Sequence, residues 1–202
     1  MLYDITKRQW SDTLLEKFGV RKDFLSQPVT SGTVVGNILP SVSAETHLNT
    51  DMQVVVGGHD QPICAYSSGL KPGSVVCSMG TTECMTPVFE KRIDPNVTIS
   101  STFSTEPFLT ENKYCTLAYN VTSGILIKWF FDVFAENDMA GGRKPPYGLF
   151  EEKAPKIPTK MLVQPYLMGS GTPYMDHRAR FAILGGDIGA TRYDIYKAVI
   201  EG

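Results

Sequence analysis

The sequence lacks the features that mark several large classes of protein. Its 19 Lys and Arg are set against 21 Asp and Glu, a formal charge of −2 with no basic stripe, which argues against a nucleic-acid partner. No apolar run reaches the length needed to span a membrane. The greasiest stretch, around Trp129, carries Lys128 and Asp132 within it. There are only four cysteines, Cys64, Cys77, Cys84 and Cys115, and they show neither CxxC nor Cys/His ligand spacing, so no metal ligand set is read. With no secretory leader at the N-terminus, they read as reduced thiols of a cytoplasmic protein. Internal repeats and low-complexity tracts are absent, as is the GxxxxGK[ST] phosphate loop. No Ser or Cys nucleophile motif accompanies His59-Asp60, and sequence neighbours rarely form a base–orienter pair, which makes a hydrolase a poor reading. Nothing in the sequence sets an oligomeric state.

What is present suits a globular α/β chain. At 202 residues and 42% hydrophobic content there is material for a real core, in one large or two small domains. Ser11 is placed to cap a short helix with Leu14, Leu15 and Phe18 on its apolar face, and Gly19 closes it. Residues 31–38 read as a strand and 41–48 as a short helix. Residues 53–56 form a strand without alternation, which predicts burial on both faces. Asp60-Gln61-Pro62 fits a helix start, that helix ends near Gly69, and Lys71-Pro72-Gly73 is a turn. Residues 74–89 read as a β-hairpin with its tip at Gly80-Thr81-Thr82. Strands are predicted at about 97–104 and 114–119. A strongly amphipathic helix over about 123–137 places Ile125, Leu126, Trp129, Phe130 and Val133 at helical spacing. A short helix near 147–153, strands near 161–166 and 181–184, and a helix from about Thr191 complete the chain. The best break lies near 69–73.

Three stretches are candidates for chemistry. In VVVGGHDQPICAYSSG a buried-looking strand ends on Gly57-Gly58 and then Asp60, the position where open α/β sheets place ligands. The glycines would let another molecule approach the backbone. Asp60 is equally suited to a plain helix cap, and His59 alone earns no role. At the hairpin tip, Ser78-Met79-Gly80-Thr81-Thr82 offers successive N–H groups and two hydroxyls, the equipment of a phosphate nest, or simply a tight turn. Ser123-Gly124 opens the long helix, where exposed N–H groups attract an anion, and Lys128 follows on the same face. The plainer alternative has Ser123 capping and Lys128 solvated.

Taken in order, Trp10-Ser11-Asp12, SGTVVGNILP, VVVGGHDQPICA, KPGSVVCSMGTTE, SGILIKWFFD and GTPYMDHRARFAILGG…TRYDIYKAVIEG resemble the FGGY family of carbohydrate kinases across nearly the whole chain. That family has two actin-like (ribonuclease H-like) domains closing on a cleft and transfers the γ-phosphate of ATP, with Mg²⁺, to a hydroxyl of a small-molecule sugar or polyol. The resemblance implies an α/β actin-like ATPase fold, incomplete and made of parts of two domains. Residues 1–69 would be the C-terminal part of the first, sugar-binding domain, and residues 70–202 the N-terminal part of the second, nucleotide-binding domain. It implies that Asp60 is the catalytic base and that Gln61 contacts a substrate hydroxyl. Gly80, Thr81 and Thr82 fall on the second phosphate loop. Gly124 falls on a nucleotide-contacting glycine, and Lys128 where some members place a polar contact. No metal ligand is implied among these residues.

Phe181 and Gly186 depart from the family pattern, which favours a small residue and an aliphatic one there. The family's opening Asp-x-Gly-Thr-type loop and its C-terminal Gly-rich adenosine segment have no counterpart, which implies an internal fragment that is inactive alone. A non-catalytic actin-like module that binds a sugar or nucleotide is the alternative.

Overall fold

The computed structural model describes residues 2–202. Along the chain the elements begin with strands β1 (Tyr3–Asp4) and β2 (Gln9–Trp10), helix α1 (Asp12–Phe18), strand β3 (Val34–Asn37), helix α2 (Pro40–Thr46), strand β4 (Gln53–Val55) and helix α3 (Asp60–Ser67). The hairpin strands β5 (Val75–Met79) and β6 (Glu83–Phe89) follow, then helix α4 (Pro95–Ser101) and short strands β7 (Glu106–Pro107), β8 (Tyr114–Cys115) and β9 (Ala118–Asn120). The remainder comprises helices α5 (Gly124–Phe134) and α6 (Tyr147–Lys153), strands β10 (Leu162–Gln164) and β11 (Ala182–Leu184), and helix α7 (Arg192–Glu201). Contacts divide the chain into two units. The first holds residues up to Val76 with Thr86–Asp94 and Ser104–Thr116; the second holds Cys77–Met85, Pro95–Phe103 and Leu117–Gly202.

Local chemistry sets the helix ends in the first unit. The Ser11 hydroxyl accepts from the Leu14 N–H, and Gly19 closes α1 in the left-handed region at φ 64°, as its sequence predicts. The β1–β2 hairpin is pinned by the Tyr3 and Trp10 rings, 5.7 Å apart and edge-on, and the Trp10 indole donates to the Ser26 carbonyl at 2.9 Å. Strands β3 and β4 pair with each other, antiparallel, in a sheet of two. The expectation that β4 is buried on both faces is therefore wrong: Val54 and Val55 are 45% and 51% exposed. An unalternating valine run needs cover on both sides, and among the described residues β4 has only β3 beside it. The unit's core is small, with Val88, Phe108 and Cys115 packed against Leu70.

Cys115 supplies a pH test of that core. Burial, with Glu106 adding, pushes its thiol up from 9.0 to about 12. Below about 9 the thiol is protonated in both states, whereas between about 9 and about 12 only the unfolded chain releases the proton. Stability should therefore fall as pH rises through that window. Urea midpoints followed across it should decline less steeply for Cys115→Ala than for the parent, although the variant starts lower. Parallel declines would show that Cys115 does not contribute.

In the second unit the core is aromatic. Leu126, Phe130 and Phe131 of α5 meet Phe150 of α6 and Tyr196 and Val199 of α7, and all are buried. The Phe150 ring stands nearly perpendicular to those of Phe130 and Phe131, with centroids 5.6 and 5.2 Å away. The buried face of α5 is thus turned towards Phe131, leaving Val133 53% exposed although its spacing placed it inside. Helix α5 also stops at Phe134, short of the predicted end, and a 3-10 turn over Glu136–Met139 follows. Phe181 finds its partner in Trp129, with ring centroids 4.7 Å apart. Thr191 and Asp194 form the capping box that starts α7.

The strand expected at 97–104 is instead helix α4. Its Val97 and Ile99 are exposed, so their β-branched shape has no sheet to pack into. Thr98 Oγ1 donates to the Pro95 carbonyl at 2.9 Å, and the Ser100 and Ser101 hydroxyls donate to that of Val97. The strand expected at 114–119 is interrupted: β8 pairs with β6 at Val88↔Cys115 and β9 pairs with it at Met85↔Ala118.

Candidate functional site

Asp60 is the first residue of α3, and its side chain is 86% exposed. It does not cap the helix. The residue before it, His59, holds the N-cap position, and the His59 carbonyl receives the Ile63 N–H at 3.2 Å. Pro62 has no N–H to offer, so the donors that an Asp60 cap would serve are missing or taken. Among the described residues the carboxylate accepts only the Gln61 N–H, at 2.8 Å, and lies 3.4 Å from His59 Nδ1. An exposed carboxylate with this little structural employment keeps most of its accepting capacity for a ligand.

The glycines before it act differently from the expectation. A Cβ on Gly58 would lie 3.0 Å from Leu109 Cδ2 and 3.2 Å from Ser31 Oγ, so the missing side chain makes room for the chain itself. Gly57 has only an ordinary contact, 3.8 Å from Ile63 Cδ1. Ser31 and Leu109 are therefore neighbours of the Asp60 turn, which sequence spacing did not disclose.

In the second unit the hairpin tip and the start of α5 are built against each other. The Gly80 N–H turns back to the Thr82 carbonyl at 2.9 Å. The Ser123 N–H donates to the Thr81 carbonyl at 3.1 Å, and the Gly124 N–H to the Gly80 carbonyl at 2.9 Å. The helix-start donors are thus engaged by the hairpin, so Gly124 does not present a free N–H to an anion. Its own requirement is steric, because a Cβ there would fall 2.6 Å from the Gly80 oxygen. Ser123 makes no side-chain cap. The Thr81 and Thr82 N–H groups and hydroxyls make no hydrogen bond among the described residues, so the tip keeps unspent donors. One turn along α5, Lys128 pairs with Asp132 at 2.5 Å, both exposed, a solvated pair worth about 0.3–0.5 kcal/mol.

The structure thus groups Asp60 with Gln61 in one unit, and Gly80, Thr81, Thr82 and Gly124 in the other, with Lys128 one turn beyond. Among the described residues no group of three His, Cys, Asp or Glu side chains could hold a metal ion, and no helix is long and apolar enough to cross a membrane. None of the four cysteines is in a disulfide.

The model of the FGGY family of carbohydrate kinases matches in both its parts, the N-terminal domain over residues 1–66 and the C-terminal domain over residues 75–202. The chain belongs to the FGGY family of carbohydrate kinases. It is 27% identical over 208 residues to xylulose kinase of Bacillus subtilis (strain 168), covering all of this chain and 39% of that protein. With autoinducer-2 kinase of Enterobacter sp. (strain 638) it shares 26% over 162 residues, 78% of this chain and 30% of that protein. Among solved structures, ligand-bound xylulose kinase from Lactobacillus acidophilus superposes with a TM-score of 0.85 at 18% identity, over all of this chain and 40% of that one. Plasmodium falciparum glycerol kinase with ADP gives 0.78 at 18% identity, covering 100% of this chain and 39% of that one. The fold is therefore the α/β actin-like ATPase fold, represented by parts of two domains. The chain spans about two-fifths of the length of the relatives it matches over its whole extent.

Proposed function

We propose that this chain is the central part of an ATP-dependent kinase that phosphorylates a hydroxyl of a small sugar or polyol, with Asp60 as the catalytic base. The observation that carries the reading is the Asp60 carboxylate itself, exposed at a helix start and yet not used to cap it. Phosphoryl transfer asks a protein for positioning and charge stabilisation more than for covalent chemistry. A carboxylate at hydrogen-bond reach orients the attacking hydroxyl and takes its proton as the bond to phosphorus forms. Gln61, beside it, offers an amide to a second hydroxyl of the substrate. The unspent N–H groups and hydroxyls of Thr81 and Thr82, with the turn at Gly80, would hold phosphoryl oxygens. Gly124 supports that tip by close approach, and Lys128 lies where it could exchange Asp132 for a phosphate.

Mg²⁺, bound with the nucleotide phosphates, would neutralise their charge. Residues 1–69 would serve the sugar and residues 70–202 the nucleotide. Membership of a family of metabolic kinases supports a cytoplasmic location.

Sugar-dependent ADP release tests the proposal. The 202-residue chain alone should give none, because it spans only 39% of a relative such as the B. subtilis xylulose kinase. A complete protein carrying the segment should give ADP with one of a panel of ketoses and polyols, headed by xylulose on the strength of the relatives' names. Turnover by the isolated chain would overturn the fragment reading. Sugar binding by the complete protein without ADP release from any sugar would favour a non-catalytic binding module.

A further inference from the structure

The first unit contains a cavity of about 380 Å³, within the size range of small-ligand sites, whose wall includes Tyr3, Arg8, Ser31, His59, Glu106 and Phe108. Arg8 is its unusual member. It lies on the turn between β1 and β2 with φ at 52°, in the left-handed region that a long side chain rarely adopts. Its Nη2 is buried and has no hydrogen-bond partner. A strained backbone and a guanidinium nitrogen without a hydrogen bond among the described residues are two penalties at one residue.

Glu106 shares the cavity without meeting Arg8 in an ion pair among the described residues. It receives the Ser104 hydroxyl on Oε1 at 3.0 Å, which leaves acceptor capacity on its other oxygen. The cavity wall therefore carries an arginine, Arg8, at one place and an acid, Glu106, at another. A bare anion would satisfy Arg8 but be repelled by Glu106, and a cation would meet the reverse. A molecule with a terminal anion and hydroxyl groups satisfies both.

From this geometry we propose that the cavity is a binding site for a small hydroxylated anion of the sugar-phosphate class, its phosphate on Arg8 and a hydroxyl on Glu106. The site does not depend on the kinase reading. It does adjoin it, because His59 forms part of the wall and immediately precedes Asp60. A filled cavity would steady the turn that carries the carboxylate.

The test is a titration of the chain with D-ribose 5-phosphate, inorganic phosphate and D-ribose, read by amide chemical shifts and by the melting midpoint. Ribose 5-phosphate should bind and raise the midpoint, phosphate should bind more weakly, and ribose should not bind. Arg8→Gly, which suits the left-handed turn, should leave the unliganded midpoint unchanged or higher while weakening ribose 5-phosphate by roughly 10- to 100-fold, the size of a lost charge-assisted hydrogen bond. Asp60→Asn should bind as the parent does, separating this site from the reaction. No binding by the parent at millimolar ribose 5-phosphate would overturn the proposal. So would undiminished binding by Arg8→Gly, or a lowered midpoint in that variant, which would make Arg8 a structural residue. Equal binding of phosphate and ribose 5-phosphate would remove Glu106 from the site.

Discussion

Asp60→Asn, made in a complete protein that carries this segment, is expected to lower turnover by roughly 100- to 10,000-fold, the contribution of a positioned general base. Asparagine preserves the shape of the side chain and an oxygen that can still accept the Gln61 N–H, now found at 2.8 Å. It cannot take up the proton that the attacking hydroxyl must lose. Because the carboxylate is exposed and caps nothing, the exchange should leave the melting midpoint and the sugar affinity near parental values. The loss should therefore lie in kcat, with the KM for sugar little changed. Asparagine is as good as aspartate at a helix start, so a purely structural Asp60 predicts no change in any of these quantities. Turnover at the parental rate would remove Asp60 from the chemistry.

What could be read in advance was what local chemistry determines. Ser11, Gly19 and Thr191 announce helix ends because a cap is a contract between residues a few positions apart. The family was legible from the ordered motifs, although each is modest alone. What could not be read depends on neighbours distant in sequence. The valines of β4 looked buried because composition reports an appetite for cover, whereas exposure depends on what is packed there. Val97 and Ile99 looked like a strand, yet Pro95 and the back-bonding hydroxyls favour a helix turn when no sheet edge is offered. The reason for Gly58 lies in Leu109 and Ser31, and that for Gly124 in Gly80, both contacts that only the folded chain brings together. Arg8 had no signal at all, since its interest lies in a dihedral angle and a buried nitrogen.

Gly124→Ala should have the opposite sign from the usual glycine-to-alanine exchange in a helix. Away from contacts that exchange stabilises by about 0.5–1 kcal/mol, since alanine loses less backbone freedom on folding. Gly148 in α6, with nothing within 4 Å of the added carbon, is the internal control and should behave in that way. At Gly124 the new Cβ would lie 2.6 Å from the Gly80 oxygen and 3.4 Å from its carbonyl carbon. Both neighbours are backbone, so no side chain can swing aside. Either the start of α5 or the hairpin tip must retreat, and the N–H bonds from Ser123 to Thr81 and from Gly124 to Gly80 are lengthened with it. Overpacking of this kind costs about 1–3 kcal/mol, to be seen as a lower denaturation midpoint. The same retreat moves Thr81 and Thr82, the residues proposed to hold phosphoryl oxygens, and a displacement of about 1 Å is enough to reduce turnover about 100-fold. In the complete protein the variant should therefore combine lower stability with a large fall in kcat/KM for ATP, while sugar affinity is retained. A less stable variant with parental ATP kinetics would show that the tip holds the helix and takes no part in phosphate binding.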